Sequence, residues 1–353
     1  MKIVNLMISK TWGGIEQAFL DYNNALLENG FEVLAVTDIR GQAGEKLGCH
    51  KNLEQYKIHF NQINYFLAYL LYRKFKSYRP DLIIVHNKKA IPLVRKAARR
   101  LNIKVAGVAH NPKPKRLDQC DAIISITECQ KRLFAAQGIA KEKIFVVPNM
   151  IEERLPYRPP LPYKKPPVIG TMGRFDPMKG FPHLIEALSI LKKEGIAFRA
   201  VIGGDDDGSY AGEKARIKQK TKSFALEDDI FFPGWIKDKN KFFEMIDIFV
   251  LPSVSEPFGI VLLEAMMHSK PIVSSDAEGP AEIFSGTKAA LLYPRESPAR
   301  LAEQLKMVLA DTSLAEDMAR NGYQLVNARY IASQAGAKLR NAVLRIVSGG
   351  EKA

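Results

Sequence analysis

The sequence predicts an α/β protein made of two doubly wound, Rossmann-like domains that face each other across a cleft. Three observations lead there. The 353 residues exceed what one ordinary core organises and suit two domains of roughly 150 residues each. Short, almost wholly apolar runs alternate with segments of helical periodicity, the pattern of a parallel sheet covered on both faces. Midway, RLPYRPPLPYKKPP breaks the alternation with six prolines from Pro156 to Pro167, after which it resumes.

KIVNLMI reads as a first buried strand, ended by SKTWGG. IEQAFLDYNNALLENG has apolar residues at helical spacing and stops at Gly30, and FEVLAVT is the next strand, which completes a βαβ unit. DLIIVHN, IPLVRKAARRLN, IKVAGVAHN, DAIISIT, ECQKRLFAAQG and KIFVVPN continue the pattern. Proline at the density of the central stretch excludes helix and inner strand and predicts a stiff extended connector. Beyond it, PVIGTMGR, PHLIEALSILKKEG, FRAVIGG, DIFFPGW, NKFFEMI, DIFVLPS, GIVLLEAMMHS and KPIVSSD form a second doubly wound unit. From about residue 297 onward only helices are expected, ending with GAKLRNAVLRIV. The expected division is 1–155, a linker over 156–167, a second domain over 168–330, and a final helix over 331–353 packing back toward the first domain.

Apolar content of 46% and charged content of 25% are those of a soluble globular protein, and no apolar run approaches the roughly 20 residues of a spanning helix. The opening MKIVNLMISKTWGG lacks the apolar stretch of a signal peptide. Cys49, Cys120 and Cys129 show no metal-ligand spacing and read as reduced thiols of a cytoplasmic protein. The net charge of +14 is unevenly spread. Residues 1–160 hold 26 Lys and Arg against 14 Asp and Glu, whereas 161–353 hold 26 against 24. Residues 73–116 alone carry 14 basic residues and a single acid, Asp81. A positive field of that kind attracts nucleic acid or an anionic membrane surface.

Open α/β sheets bind ligands beyond the carboxyl ends of their strands, at helix N-termini. Gly13-Gly14 follows the first strand, where paired glycines allow close backbone approach to an anion, although GGIEQA is not a dinucleotide fingerprint. In GRFDPMKG, Arg174 and Lys179 can bracket a diphosphate, or simply sit in a solvated loop. In SEPFGIVLLEAMMHSKP, Pro257-Phe258-Gly259 turns the chain into a helix and leaves the amides of Gly259, Ile260 and Val261 for an anion. Glu264 lies about 7 Å up the axis, where it can accept from a vicinal diol such as a ribose. Glu256 at the mouth can accept from sugar hydroxyls. The plainer alternatives are a capping charge for Glu256 and a solvated helix residue for Glu264, although IVLL and AMM surround the latter.

GGIEQA, VVPNMI, GTMGRFDPMKG, PSVSEPFGIVLLEAM and KPIVSSDAEGPAEIF, in that order over nearly the whole chain, resemble family 4 of the retaining glycosyltransferases, group 1 type, with the twin-Rossmann GT-B fold. The Glu-x7-Glu element with Phe-Gly inside it is the most specific part. One position departs, Ser269, where the pattern usually has Gly before Lys-Pro. The resemblance implies that Glu264 holds the ribose of a nucleotide-sugar, and that Arg174 and Lys179, in the loop opened by Gly173, hold its pyrophosphate. It sets the amides of Phe258, Gly259, Ile260 and Val261 against the donor and Glu256 on the transferred sugar. Gly13 and Gly14 would lie near the distal phosphate from the opposite domain, and the backbone of the Trp235 loop would flank the base. His110, in VAHNPK, matches a family histidine beside the donor sugar, although a lone histidine there is more often structural. Glu256, Arg174, Lys179 and His110 form the implied catalytic set.

The implied reaction keeps the anomeric configuration without a covalent glycosyl-enzyme, and cations and helix dipoles replace a metal. No cofactor and no metal are expected; DDD at 205–207 resembles a metal motif of another glycosyltransferase fold but reads as a polar loop. UDP-sugars are the commonest donors in the resemblance, with GDP-mannose the alternative. The acceptor would be a saccharide or lipid-linked saccharide of lipopolysaccharide or another cell-surface glycan. Residues 63–79 join aromatics and leucines to a basic tail, and RKAARR and KPKR follow. Arg73, Lys74, Lys76, Arg79, Arg95, Lys96, Arg99 and Arg100 would dock on anionic lipid at the cytoplasmic face of the inner membrane or bind the acceptor, unless this is a core helix with a solvated end. Two competing readings remain at this point: a sugar-nucleotide epimerase of the same fold, and a polyanion-binding protein. No nucleic-acid-binding module is present, so nucleic acid is not the expected partner.

Overall fold

The computed structural model describes residues 1–349 except 11, 61–64, 153–154, 161, 207, 209 and 211. Ile63 and Asn64, which open the aromatic-basic segment, and Asp207 of the acidic triplet therefore lie outside the described residues. The chain forms two compact units, Met1–Glu152 with Tyr330–Ala353, and Glu153–Arg329.

The first unit runs β1 (Lys2–Met7), α1 (Gly14–Glu28), β2 (Glu32–Asp38), β3 (Leu53–Ile58), α2 (Tyr65–Tyr78), β4 (Leu82–Val85), α3 (Ile91–Arg99), β5 (Lys104–Ala109), β6 (Ala122–Ser125), α4 (Glu128–Ala136) and β7 (Ile144–Val146). Its sheet has the order β3-β2-β1-β4-β5-β6-β7, with every pair parallel. Because β1 pairs with β2 on one side and β4 on the other, the strand order reverses there, and the loops after β1 and β4 part to leave a crevice. Helix α1 buries Ala18, Phe19, Tyr22, Ala25 and Leu26, a stripe at helical spacing, against the sheet.

The second unit runs β8 (Val168–Met172), α5 (Phe181–Lys193), β9 (Arg199–Gly203), α6 (Glu213–Ser223), β10 (Ile230–Phe231), α7 (Lys239–Met245), β11 (Ile248–Leu251), α8 (Ile260–Met267), β12 (Ile272–Ser275), α9 (Glu278–Ile283), β13 (Leu291–Tyr293), α10 (Pro298–Ala310) and α11 (Thr312–Arg329). The order is β10-β9-β8-β11-β12-β13, again all parallel, and the reversal falls between β8 and β11. The loops carrying Arg174 and Glu256 leave those two strands. The last helix, α12 (Ala332–Ser348), belongs to the first unit and packs on α1, where Gly336 lets the two backbones approach at Ala25. Within the first unit the chain returns beside its own earlier end, since Ile151 N donates to Tyr330 O and Ala332 N donates to Ile151 O, each at 3.0 Å.

The described residues of the proline-rich stretch are extended, as proline dictates, but they are not a bare connector. They lie on the second unit, with Tyr157 against Tyr323 (ring centroids 5.3 Å) and the Tyr163 hydroxyl donating to Val308 O at 2.9 Å. Among the described residues no helix is long and apolar enough to cross a membrane.

Candidate active site

The predicted donor residues of the second unit gather at the β8–β11 reversal. Arg174 follows β8, and its guanidinium meets Asp176 Oδ2 at 3.1 Å and lies 5.8 Å from the centre of the Tyr210 ring. Asp176 also accepts from Met178 N at 2.9 Å and so shapes the single turn that presents Lys179. Gly180 closes that turn with φ +66, and a Cβ there would stand 1.9 Å from Pro252 O, so no other residue fits. The turn and the following loop are joined, because Met178 O accepts from Val254 N at 2.8 Å. Lys179 Nζ then reaches Glu256 Oε2 at 2.6 Å. Two residues 77 positions apart thus form one ion pair, and Glu256, 7% exposed, is that lysine's partner rather than a helix cap.

Helix α8 opens at Gly259, which has φ +94, and no side chain caps it. Phe258 is buried, and a Cβ on Gly279 would strike its backbone at 2.4 Å, so α9 holds the turn tightly from behind. The Glu278 carboxylate accepts from Glu256 N at 3.2 Å and Ser255 Oγ at 3.4 Å, and Arg295 binds its other oxygen at 2.9 Å. Burial alone would raise the Glu278 pKa, but its own amide, Arg295 and the Glu256 amide together lower it, so it stays an anion. Glu264 lies on the open side of α8 with Ile260 and Val261 and is ion-paired with Lys239 of α7. Trp235 is 44% exposed in the loop between β10 and α7, where Gly234 O accepts from Gly204 N. Gly173 continues the β8–β9 pairing by donating its amide to Gly203 O at 3.0 Å.

The remaining predicted residues, Gly13, Gly14 and His110, belong to the first unit. Gly13 precedes α1 in an extended conformation any residue adopts, with φ −174, so it is not forced by the backbone. His110 follows β5, and its Nε2 lies 3.0 Å from Nδ1 of His86, which follows β4. Tyr22 and Phe19 meet the His86 ring edge-on. Burial, then the neighbouring Lys88 ammonium, push His110 down to about 3, and burial followed by His110 depresses His86. Both rings are therefore neutral at pH 7. Among the described residues no cluster of His, Cys, Asp and Glu could hold a metal ion.

Two family models match in tandem: glycosyltransferase family 4 over residues 12–155, and glycosyl transferases group 1 over residues 157–325. The chain belongs to the group 1 glycosyltransferases. Among curated relatives, the lipopolysaccharide core biosynthesis glycosyltransferases LpsD and LpsE of Rhizobium meliloti (strain 1021) are 26% and 25% identical. The LpsD match covers 94% of each chain, and that with LpsE 92% of this chain and 93% of the relative. Anabaena Alr3699/HepE, solved with UDP and glucose, superposes with a TM-score of 0.81 at 19% identity over 98% of this chain and 99% of the other. These findings bear out the two Rossmann-like domains of GT-B type and decide for glycosyl transfer over epimerisation.

Five residues that partner or support this glycosyltransferase's predicted ones were not singled out in the sequence: His86, Asp176, Lys239, Glu278 and, behind Glu278, Arg295. Asp176 and Glu278 are ordinary acids inside stretches already marked, whereas His86, Lys239 and Arg295 are remote in sequence from the residues they meet and only the fold brings them together. The basic segment divides on inspection. Helix α2 buries Leu67, Ala68, Leu71 and Phe75 and packs on α3, so one face of it is core, while Phe66 and Tyr69 are exposed. Lys74 pairs with Glu54, Arg95 with Asp121, and Arg100 lies over the Tyr72 ring, so these three of the eight predicted cations are engaged within the protein.

Proposed function

We propose that this glycosyltransferase moves a sugar from a nucleotide-diphospho-sugar, with a UDP-sugar the first choice, to a saccharide or lipid-linked acceptor of a cell-surface glycan. The observation that carries the reading is the Lys179–Glu256 ion pair set at the mouth of uncapped helix α8, with Arg174 beside it. Lys179, Arg174 and the first α8 amides supply positive charge where a diphosphate leaves. Glu256, tied to Lys179, accepts from hydroxyls of the transferred sugar, and Glu264 exchanges its Lys239 contact for the two ribose hydroxyls. The leaving diphosphate gathers charge as the C1–O bond stretches, and these fixed donors stabilise it without a metal. Retention follows if the acceptor attacks from the face the diphosphate leaves. Support for that route is that Glu256 is ion-paired and mostly buried, which makes it a poor covalent nucleophile. The relatives named for lipopolysaccharide core synthesis and the structure solved with UDP support the substrate classes.

The deciding experiment is thermal stabilisation by UDP, GDP and ADP without metal, on wild type and Glu264→Ala. A nucleotide at 100 times its Kd adds about 2.7 kcal/mol to the folded state. The expected result is a shift with UDP that Glu264→Ala loses. A shift with none of the three removes the reading of this site. The anomeric coupling of the product, read by proton NMR, tests retention, and an inverted product refutes it.

A further inference from the structure

We propose that Lys88 and Lys113, beside His110, form a subsite in the first unit for a phosphate or other oxyanion carried by the substrate. It rests on the reading of the protein as a glycosyltransferase and adds the charge of what the first unit binds. The two lysines sit on the loops that leave β4 and β5, adjacent parallel strands whose carboxyl ends are where such sheets bind ligands. Lys88 is partly buried, and its ammonium is held by neutral oxygens, Asn111 Oδ1 at 2.5 Å and Lys113 O. An ammonium has three donors, and these two acceptors leave one for a further partner. Asn87 locks the Lys88 loop by donating to Ile8 O at 2.6 Å and accepting from Lys89 N at 2.9 Å. Asn111 closes the other loop by accepting from Lys113 N at 3.3 Å.

Among the described residues no carboxylate is paired with Lys88 or Lys113, although Lys74 and Arg95 nearby have theirs. The one acid within 73–116, Asp81, is spent at the opposite end of β4, accepting from Lys2 N at 2.8 Å. Burial, then the charge of Lys113, lower the Lys88 pKa to about 8, so the ammonium sits in a place that disfavours it. The neutral pair His86–His110 brings no negative charge to offset it. Fixed loops, uncompensated cations and a ligand-binding sheet edge are together the features of a preformed anion site, and lysine is suited to phosphate as a point charge. The oxyanion has two sources: a phosphorylated or acidic acceptor saccharide, and the donor's own diphosphate.

Calorimetric titration separates these. Mannose 6-phosphate, mannose and UDP are titrated into wild type, Lys88→Gln and Lys113→Gln, with Glu264→Ala as the donor-side control. Wild type is expected to bind mannose 6-phosphate about tenfold more tightly than mannose, and Lys88→Gln to abolish that preference. Unchanged UDP affinity in Lys88→Gln assigns the anion to the acceptor, and a parallel drop in UDP affinity assigns it to the donor. Lys113 is exposed, so Lys113→Gln folds whatever happens to Lys88→Gln and must weaken the same preference. Equal binding of the two sugars, with UDP affinity unaltered in both lysine variants, overturns the subsite. That result leaves the donor reading standing as long as Glu264→Ala still loses UDP.

Discussion

At the residue scale, the charges of the site are set by what each group is buried against. His86 and His110 are neutral because burial disfavours the imidazolium, so the folded protein holds fewer protons than the unfolded chain, whose histidines titrate near 6.5. Stability is therefore complete above about pH 6.5 and falls as pH drops below it, by up to about 1.4 kcal/mol per pH unit for each histidine. Urea unfolding at pH 7.5 and 5.5 should show that loss, and His86→Phe, which keeps an aromatic ring against Phe19 and Tyr22, should shrink it. An identical pH dependence in wild type and variant contradicts the assignment. The cations beside the mouth of α8 differ in a similar way. Lys179→Met strands the buried Glu256 carboxylate and should cost stability of about 1–3 kcal/mol. Arg174→Met leaves Asp176 with its bond from the Met178 amide and should cost less. Each should lower kcat by about 10²–10³ if the lost donor served the leaving group; chemical denaturation with kinetics on the same variants reads both quantities. His110 was singled out in the sequence only because VAHNPK resembles a family motif, whereas His86 was not, since one histidine after an apolar strand signals nothing until β4 and β5 pair.

At the element scale, apolar runs and helical spacing revealed the inner strands and the long helices, because those bury one continuous face. The elements that escaped lack that face. Strand β3 is an edge strand of sequence LEQYKI with most side chains outside, α6 is highly polar, and β13 and α9 are only three and six residues long. The end of α8 explains the one departure from the family pattern. Lys270 N donates to Ala265 O and Ser269 N to Met266 O, each at 3.0 Å, which is the paired closure of a Schellman motif. Ser269 occupies its left-handed position with φ +53, where glycine is free of the cost of roughly 1 kcal/mol that a side chain brings. Its hydroxyl recovers little, accepting from Arg158 N at a long 3.4 Å. Ser269→Gly should therefore stabilise the protein by about 0.5–1 kcal/mol without changing kcat. A midpoint of urea unfolding that falls instead would mean the hydroxyl contact outweighs the strain.

At the scale of the whole molecule, the excess positive charge lies in the first unit, and helix α2 shows how it is presented. One face of α2 buries Leu67, Ala68, Leu71 and Phe75, while Phe66 (63% exposed) and Tyr69 (49% exposed) share the outer face with Arg73 and Lys76 at spacings of three and four. Aromatic rings among cations suit the interface of an anionic bilayer, where each Lys or Arg near the surface adds about 1 kcal/mol and the rings enter the headgroup layer. A lipid-linked acceptor would be reached from such a surface. Flotation with phosphatidylglycerol-rich vesicles at low salt should carry the protein up, and phosphatidylcholine vesicles should not. Raising the salt should release it, because the field is screened within about 10 Å at 0.1 M. A purely electrostatic attraction to any polyanion would be indifferent to the aromatics. The double substitution Phe66→Ser with Tyr69→Ser, on the outer face of a helix whose core side is untouched, therefore decides between the two. Loss of flotation with heparin binding retained places α2 in the membrane interface. Flotation undiminished by that substitution, or absent at low salt in the wild type, removes the docking surface and leaves the charge to serve the substrate alone.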